Sequence, residues 1–334
     1  MIILGIETSC DETSAAILNR NKVISNIISS QAVHLKFGGV VPELASRAHL
    51  KKIIPIVDEA LKVANLQISD IEGFAVTFGP GLVGALLVGL NYVKGLSISL
   101  NKPFVGVNHI EGHIYSNFIG SNDLFPPFMT LVVSGGHTQL VLVTEHLKYK
   151  IVGTTRDDAV GEAFDKVGKL LGLSYPAGPQ VDKLSENGNP EFVNFPRALL
   201  KESIFDFSFS GLKTAVLNYS NKIPKRELKI HLNDICASFQ AAAIEVLIKK
   251  TVKAARYYQI RKIAICGGVA ANRLLRSLMT KEAEKYNLEL FIPPLDYCTD
   301  NAAMIARAGL ERLKRGMDSN LNLNAYPSLR LGTE

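Results

Sequence analysis

The chain has 334 residues, 47% hydrophobic and 20% charged, with a formal net charge of +6; that length predicts two domains or one two-lobed unit, with apolar material for two cores. Its cysteines, Cys10, Cys236, Cys266 and Cys298, lie far apart and form no C-x-x-C pair, so neither a zinc knuckle nor a disulfide framework is indicated, and free thiols fit a reducing compartment. The opening run Met1–Ile6 is too short for a signal-peptide core, and the longest apolar stretch, Leu82 to Leu90, falls short of the roughly 20 residues that cross a bilayer, so a cytoplasmic chain with no membrane role is expected.

In chain order, Ile2 to Ile6 reads as a buried strand and Ser14 to Leu18 as its hairpin partner. Leu44 to Val63 has helical apolar spacing, with a kink expected at Pro55. Phe74–Thr77 is a short strand before Gly79-Pro80-Gly81, Leu82 to Leu100 a small-residue helix, and Phe104–Val107 another strand. A second cycle begins with a strand from Met129 to Ser134, a glycine turn and a return strand from Gln139 to Thr144. Ile235 to Tyr257 is helical, Lys262 to Cys266 a strand, Asn272 to Tyr286 a helix, Leu288 to Ile292 a strand and Asn301 to Lys314 a closing helix. The repeat predicts two related α/β lobes with a cleft between them.

Five motifs carry polar chemistry. Glu7-Thr8-Ser9-Cys10-Asp11-Glu12-Thr13 places hydroxyls and carboxylates in the first hairpin turn, where they can contact phosphate or take a proton; an ordinary polar hairpin has the same look. Ser134-Gly135-Gly136-His137-Thr138 allows close backbone approach to a ligand, or is a tight turn. Gly267-Gly268 precedes a helix starting near Asn272, an arrangement that suits a nucleotide. Gly161-Glu162-Ala163-Phe164-Asp165-Lys166, followed by Tyr175–Pro179 and Asp182, reads either as a sugar-hydroxyl grip or as a capped surface helix.

The fifth motif is His109-Ile110-Glu111-Gly112-His113. On a helix, positions i and i+4 lie about 40° apart, so both imidazoles share one face, a usual start for a metal site. Asp300, at the start of the closing helix, is a candidate third ligand. Zinc peptidases of the H-E-x-x-H type need Glu directly after the first His. Here Ile110 holds that place and Glu111 lies about 200° around the helix from His109, which disfavours peptidase chemistry. Separately, Asn221 to Lys262 holds ten Lys/Arg against three Asp/Glu, a net +7. That is either a solvated helix face or a surface for an anionic polymer.

The five motifs, in their order along the chain, closely resemble the TsaD family, tRNA N6-adenosine threonylcarbamoyltransferase, once described as O-sialoglycoprotein endopeptidase, from residue 1 to about 315. The resemblance implies a two-lobed α/β actin-like ATPase (ASKHA) fold, each lobe a mixed sheet flanked by helices, with the active site in the cleft. The expected division is an N-terminal lobe over 1–107, to which a closing helix over 299–315 returns, a C-terminal lobe over 108–298, and a loosely ordered tail over 316–334. The implied reaction moves threonylcarbamoyl from threonylcarbamoyl-adenylate to N6 of adenosine 37 in tRNAs reading codons that begin with A, and releases AMP. It also implies one divalent metal ion, Fe(2+) first and Zn(2+) second, on His109, His113 and Asp300. Substrate contacts carry over to Val132, Val133, Ser134, Gly135, Gly136, Asp165, Gly178, Asp182 and Asn272. Ala177 departs from the family, which commonly has Gly there. Asp11 is the first choice for the group that takes the amine proton, and Glu12 the second. The implied partners are tRNA, TsaB and TsaE, with the adenylate supplied by TsaC; a start directly on the first strand is expected of the short bacterial form. A small-molecule kinase of the same fold and a non-catalytic scaffold remain as alternatives.

Overall fold

The computed structural model describes residues 1–31, 39–120, 123–200 and 204–333. The chain begins with β1 (Ile2–Glu7), β2 (Glu12–Asn19), β3 (Lys22–Ser30), α1 (Pro42–Ala64), β4 (Gly73–Gly79), α2 (Val83–Leu100), β5 (Phe104–Asn108) and α3 (His109–Ser116). It continues through β6 (Phe128–Val133), β7 (Thr138–Glu145), β8 (Lys148–Thr154), α4 (Val160–Leu170), α5 (Gly178–Ser185), α6 (Ser210–Lys222), α7 (Lys225–Ile230), α8 (Leu232–Tyr257), β9 (Lys262–Cys266), α9 (Arg273–Lys285) and β10 (Glu289–Phe291). The last helix is α10 (Ala302–Lys314).

These elements divide into two units: Met1–Leu124 with Pro293–Glu334, and Phe125–Ile292. Among the described residues the first unit holds a five-stranded sheet of order β3-β2-β1-β4-β5 and the second one of order β10-β9-β6-β7-β8. In the first, β1 pairs antiparallel with β2 and parallel with β4, β2 pairs antiparallel with β3, and β4 parallel with β5. The second repeats this sense for sense, with β6 as its central strand, β7 and β8 antiparallel on one side and β9 and β10 parallel on the other. The two mixed sheets, each with its own helices, match the architecture expected from the sequence.

In the first unit β1 reads as an apolar run because helices cover both its faces. Leu4, Ile6, Ile17, Phe74 and Val76 meet Ile53 and Val57 of α1 and Leu90 and Val93 of α2 in one core. α10 packs so closely that a Cβ on Gly5 would lie 2.5 Å from the carbonyl oxygen of Ala302. The start of α10 is pinned to β2, where the Ser14 hydroxyl accepts from Ala302 N at 2.9 Å. The sheet thus sets where Asp300, just ahead of α10, must fall.

Two expectations change. The boundary expected at 107/108 falls inside the first unit, because β5 runs directly into α3 and α3 packs on α10. The tail from 316 is not loose: Ser319 N donates to Phe104 O at 2.8 Å, Tyr326 N to Phe78 O at 2.8 Å, and Pro327 O accepts from Gly81 N at 3.1 Å. Those bonds tie it to the β4–β5 side of the sheet. The unbroken apolar run does end at Leu90, before Asn91, although α2 as a whole is, by length and composition alone, long and apolar enough to cross a membrane. In the fold α2 packs on α1, β4 and β5.

Candidate functional site

In the first unit, β1 ends on Glu7, a fully buried carboxylate. Its Oε1 accepts from Ser9 N at 2.5 Å, which curls the following turn, and its Oε2 accepts from Thr77 Oγ1 at 2.7 Å. The same Oε2 takes the Nδ1–H of His109 at 3.0 Å, and Ser9 Oγ lies 3.1 Å from that nitrogen. A carboxylate cannot donate, so Nδ1 carries the proton and Nε2 is the nitrogen turned to the ligand side. Carboxylate support of this kind commonly orients a metal-binding histidine.

His109 opens α3, whose N-terminus is capped by the Asn108 side chain accepting from Ile110 N at 2.9 Å. Asp300 Oδ1 lies 3.5 Å from His109 Nε2 and 3.1 Å from His113 Nε2. One potential ligand atom from each of the three residues lies within 4.8 Å of the others. His113 is fully buried, and beyond the Asp300 oxygen beside its Nε2 neither ring nitrogen has a hydrogen-bond partner. A buried imidazole left so is costly unless another partner takes it up. Two imidazoles and one carboxylate converging in this way fit a divalent metal ion.

The electrostatics agree with a concentrated negative site. Burial opposes charge on His109, but Asp300 and Glu7 outweigh it and push the imidazole up to about 9. Burial likewise raises Glu7, but the His109 imidazolium holds it below its ordinary value. Glu12 is pushed up to about 9 by burial, by Asp300 and by its neighbour Asp11, so it keeps its proton at neutral pH. The Cys10 thiol is driven far upward by burial and the surrounding carboxylates, and is not a nucleophile here. Asp11 and Glu12 occupy the half-buried rim of the turn.

Glu111, also fully buried, serves a different purpose from the histidines on either side of it. Its two oxygens accept from Arg312 Nε at 2.6 Å and Nη2 at 2.9 Å. This bidentate pair clamps α3, with both histidines, onto α10, whose start follows Asp300. Glu7 lay within the first sequence motif with no role assigned to it, and Arg312 was missed altogether. They sit 102 and 201 residues from His109 and Glu111, and no local pattern links such pairs.

The remaining expected residues gather in the second unit. Val132 and Val133 are completely buried in β6, so any ligand contact there is through the main chain. Ser134 closes the turn, with its N donating to His137 O at 2.9 Å and its Oγ accepting from His137 N at 3.2 Å. Gly135 and Gly136 are exposed, with open space where each Cβ would stand. α4 starts against this turn, and a Cβ on Gly161 would lie 2.5 Å from Ser134 O.

Asp165 on α4 accepts from Ala177 N at 2.7 Å and Gly178 N at 3.3 Å, which holds the start of α5. Asp182 on α5 accepts from Arg273 Nε at 2.9 Å at the start of α9. Asn272 caps α9 by accepting from Leu275 N at 2.9 Å, and donates to Gln240 Oε1 at 2.8 Å. Gly267 adopts φ +94°, and a Cβ there would stand 2.3 Å from Val133 O. Ala177, the departure noted above, is buried in a right-handed helical conformation, against the face of α4 that Gly168 leaves open. Its extra methyl group is therefore accommodated.

A family model described as TsaD, tRNA N6-adenosine threonylcarbamoyltransferase, matches residues 22–307. The chain belongs to this family. A tRNA N6-adenosine threonylcarbamoyltransferase of Clostridium perfringens (strain 13 / Type A) is 55% identical over 333 residues, 99% of this chain and 98% of the relative. One of Clostridium botulinum (strain Hall) is 53% identical over 332 residues, again 99% and 98%. Among solved structures, T. kodakarensis HypF has a TM-score of 0.63 at 13% identity, over 94% of this chain and 48% of that one. The activator of the 2-hydroxyisocaproyl-CoA dehydratase from Clostridium difficile, with bound ADPNP, has a TM-score of 0.54 at 14% identity, over 95% and 97%. At such identities these two bear on the fold alone, which they share with this chain over 94–95% of its length.

Proposed function

We propose that the chain transfers threonylcarbamoyl from threonylcarbamoyl-adenylate to N6 of adenosine 37 in tRNAs that read codons beginning with A. Membership of the family supports the reaction, and the Glu7–His109–Asp300–His113 constellation is the single observation that carries the site. His109, His113 and Asp300 would hold one divalent ion, Fe(2+) by preference and Zn(2+) as the second choice, since two imidazoles and a carboxylate suit either. When bound, such an ion supplies Lewis-acid polarisation of the carbamoyl carbonyl.

The protein's own groups have separate tasks. The open Ser134–Gly136 turn and the Gly267–Asn272 turn take the nucleotide, through main-chain N–H groups and the start of α9. Asp165, Gly178 and Asp182 hold the α4–α5–α9 surround in shape and offer its polar rim. The exocyclic amine attacks the carbamoyl carbon, a C–N bond forms, the C–O bond to the AMP phosphate breaks, and AMP leaves. Asp11 accepts the amine proton. Glu12, which holds its own proton at neutral pH, is the weaker candidate. An adenine amine is a poor nucleophile, so positioning supplies much of the rate.

The reaction takes place in the cytoplasm, where its tRNA substrate resides, with TsaB and TsaE as protein partners and TsaC supplying the adenylate. Mass spectrometry of tRNA nucleosides tests the reading after the protein and those partners meet threonylcarbamoyl-adenylate and unmodified tRNA. Threonylcarbamoyladenosine is the expected product; intact adenosine 37 in the complete mixture would refute the reading.

A further inference from the structure

The segment from Asn221 to Lys262, with ten Lys/Arg and three Asp/Glu, carries a larger positive charge than the +6 of the whole chain. Its cations take no part in the chemistry above. The structure folds its latter part into the second half of α8, where Lys249, Lys253 and Arg256 recur at i, i+4 and i+7 and are all exposed. That spacing puts the three cations on one stripe. α9 packs beside α8, and the two helices border a groove of about 380 Å³ lined by Lys249, Lys253, Arg256, Tyr257, Tyr286 and Glu282.

The aromatic groups there are presented rather than hidden. Tyr257 is 71% exposed while its ring is anchored by edge contacts to Tyr258 at 5.1 Å and Phe205 at 5.5 Å. The Tyr286 ring has the Arg256 guanidinium 4.8 Å and the Lys285 ammonium 5.1 Å from its centroid. The nearby acids are matched: Glu282 pairs with Lys285, and Glu245 with Lys249 and Arg197. Cations along a groove with an open aromatic platform match the phosphates and base faces of RNA. A membrane surface would need protruding apolar side chains, whereas the aliphatic lining residue, Val252, is buried.

We propose that this α8–α9 groove docks RNA, with Lys249, Lys253 and Arg256 on phosphate oxygens and Tyr257 stacking on an unpaired base. It rests on the reading above in one respect, that the RNA is the tRNA substrate. The test measures binding of unmodified tRNA to the full chain across a salt series. The variants are the triple Lys249→Ala/Lys253→Ala/Arg256→Ala, the charge-matched control Lys51→Ala/Lys52→Ala/Lys62→Ala on α1, and Tyr257→Ala. Every replaced side chain is exposed, and circular dichroism checks that each variant folds.

The groove triple should lower affinity at least tenfold and flatten the slope of log affinity against log salt by about 2 to 3, because each of the three lost phosphate contacts removes roughly 0.7 to 0.9. The control should keep the native slope. Tyr257→Ala should weaken binding about tenfold at an unchanged slope, as loss of one stacked base does. No binding by the native chain at low salt, native binding by the groove triple, or an equal loss in the control would each overturn the docking surface. Nucleoside analysis of the same samples separates the two claims. Native transfer alongside an indifferent groove triple sinks the groove alone; absent transfer with a groove-dependent salt slope sinks the reaction alone.

Discussion

The two units share one sheet plan and spend it differently. In each, a central strand runs into a turn, an antiparallel pair leaves on one side and a parallel pair on the other. In the first unit the turn after β1 is acidic and hydroxyl-rich, and Glu7, His109, Glu111 and His113 are buried with scarcely any solvent contact. In the second the turn after β6 is Ser-Gly-Gly, open to solvent, and the nearby carboxylates Asp165 and Asp182 are occupied by backbone N–H groups and Arg273. One frame therefore carries a buried cluster of imidazoles and carboxylates in one copy and an open glycine turn in the other. The sheet fixes where a turn emerges; the side chains next to it decide whether charge or backbone is offered there.

That contrast can be broken at the cluster first. His113→Ala should cut transfer on the order of a thousandfold, several kcal/mol of barrier, if a bound ion acts there; nucleoside mass spectrometry reads it, and a native rate would remove His113 from the site. Next is the buried clamp. Arg312→Leu leaves the Glu111 carboxylate uncompensated, which should cost about 3–5 kcal/mol of stability in denaturant unfolding, and the double change Glu111→Met/Arg312→Leu should recover most of it. An unfolding midpoint unmoved by the single change would show that the pair does not hold α3 on α10.

Third, Glu7→Gln keeps the shape but loses the carboxylate that orients His109, so metal affinity should fall about 10- to 100-fold. Titration with a fluorescent competitor chelator measures this, and native affinity would show that Glu7 is only structural. The smallest effect belongs to the second unit. Burial works to raise Asp158, but Lys166 and Lys213 hold its carboxyl below the ordinary range. The folded form thus binds its proton less readily than the unfolded chain. This contribution is complete above the unfolded value, near 3.8, and fades as pH falls through the lower folded value. Asp158→Asn should flatten stability between pH 5 and 2, in about the range where such a carboxylate titrates; an unaltered acid limb would remove Asp158 from the account.

How far these features were legible beforehand follows physical lines. β1, β4, β6 and β9 are buried on both faces and so read as apolar runs. β3 and β8 lie at sheet edges with mixed exposure, and their polar residues hid them. The two histidines share a helix and announce themselves; Asp300 was visible only as a carboxylate before a helix. Glu7 and Arg312 reach their partners through the sheet order and through α10 lying on α3, which single-sequence spacing does not encode. The tail looked loose because its sequence lacks periodicity, yet main-chain bonds to Phe78 O and Phe104 O need none.

The central claim is that His109, His113 and Asp300 form one metal site supported by Glu7. Its most direct measurement is the metal content per chain of the purified native protein and of His109→Ala, by inductively coupled plasma mass spectrometry. The account predicts close to one divalent ion in the native chain and almost none in the variant. Full occupancy in His109→Ala would contradict it.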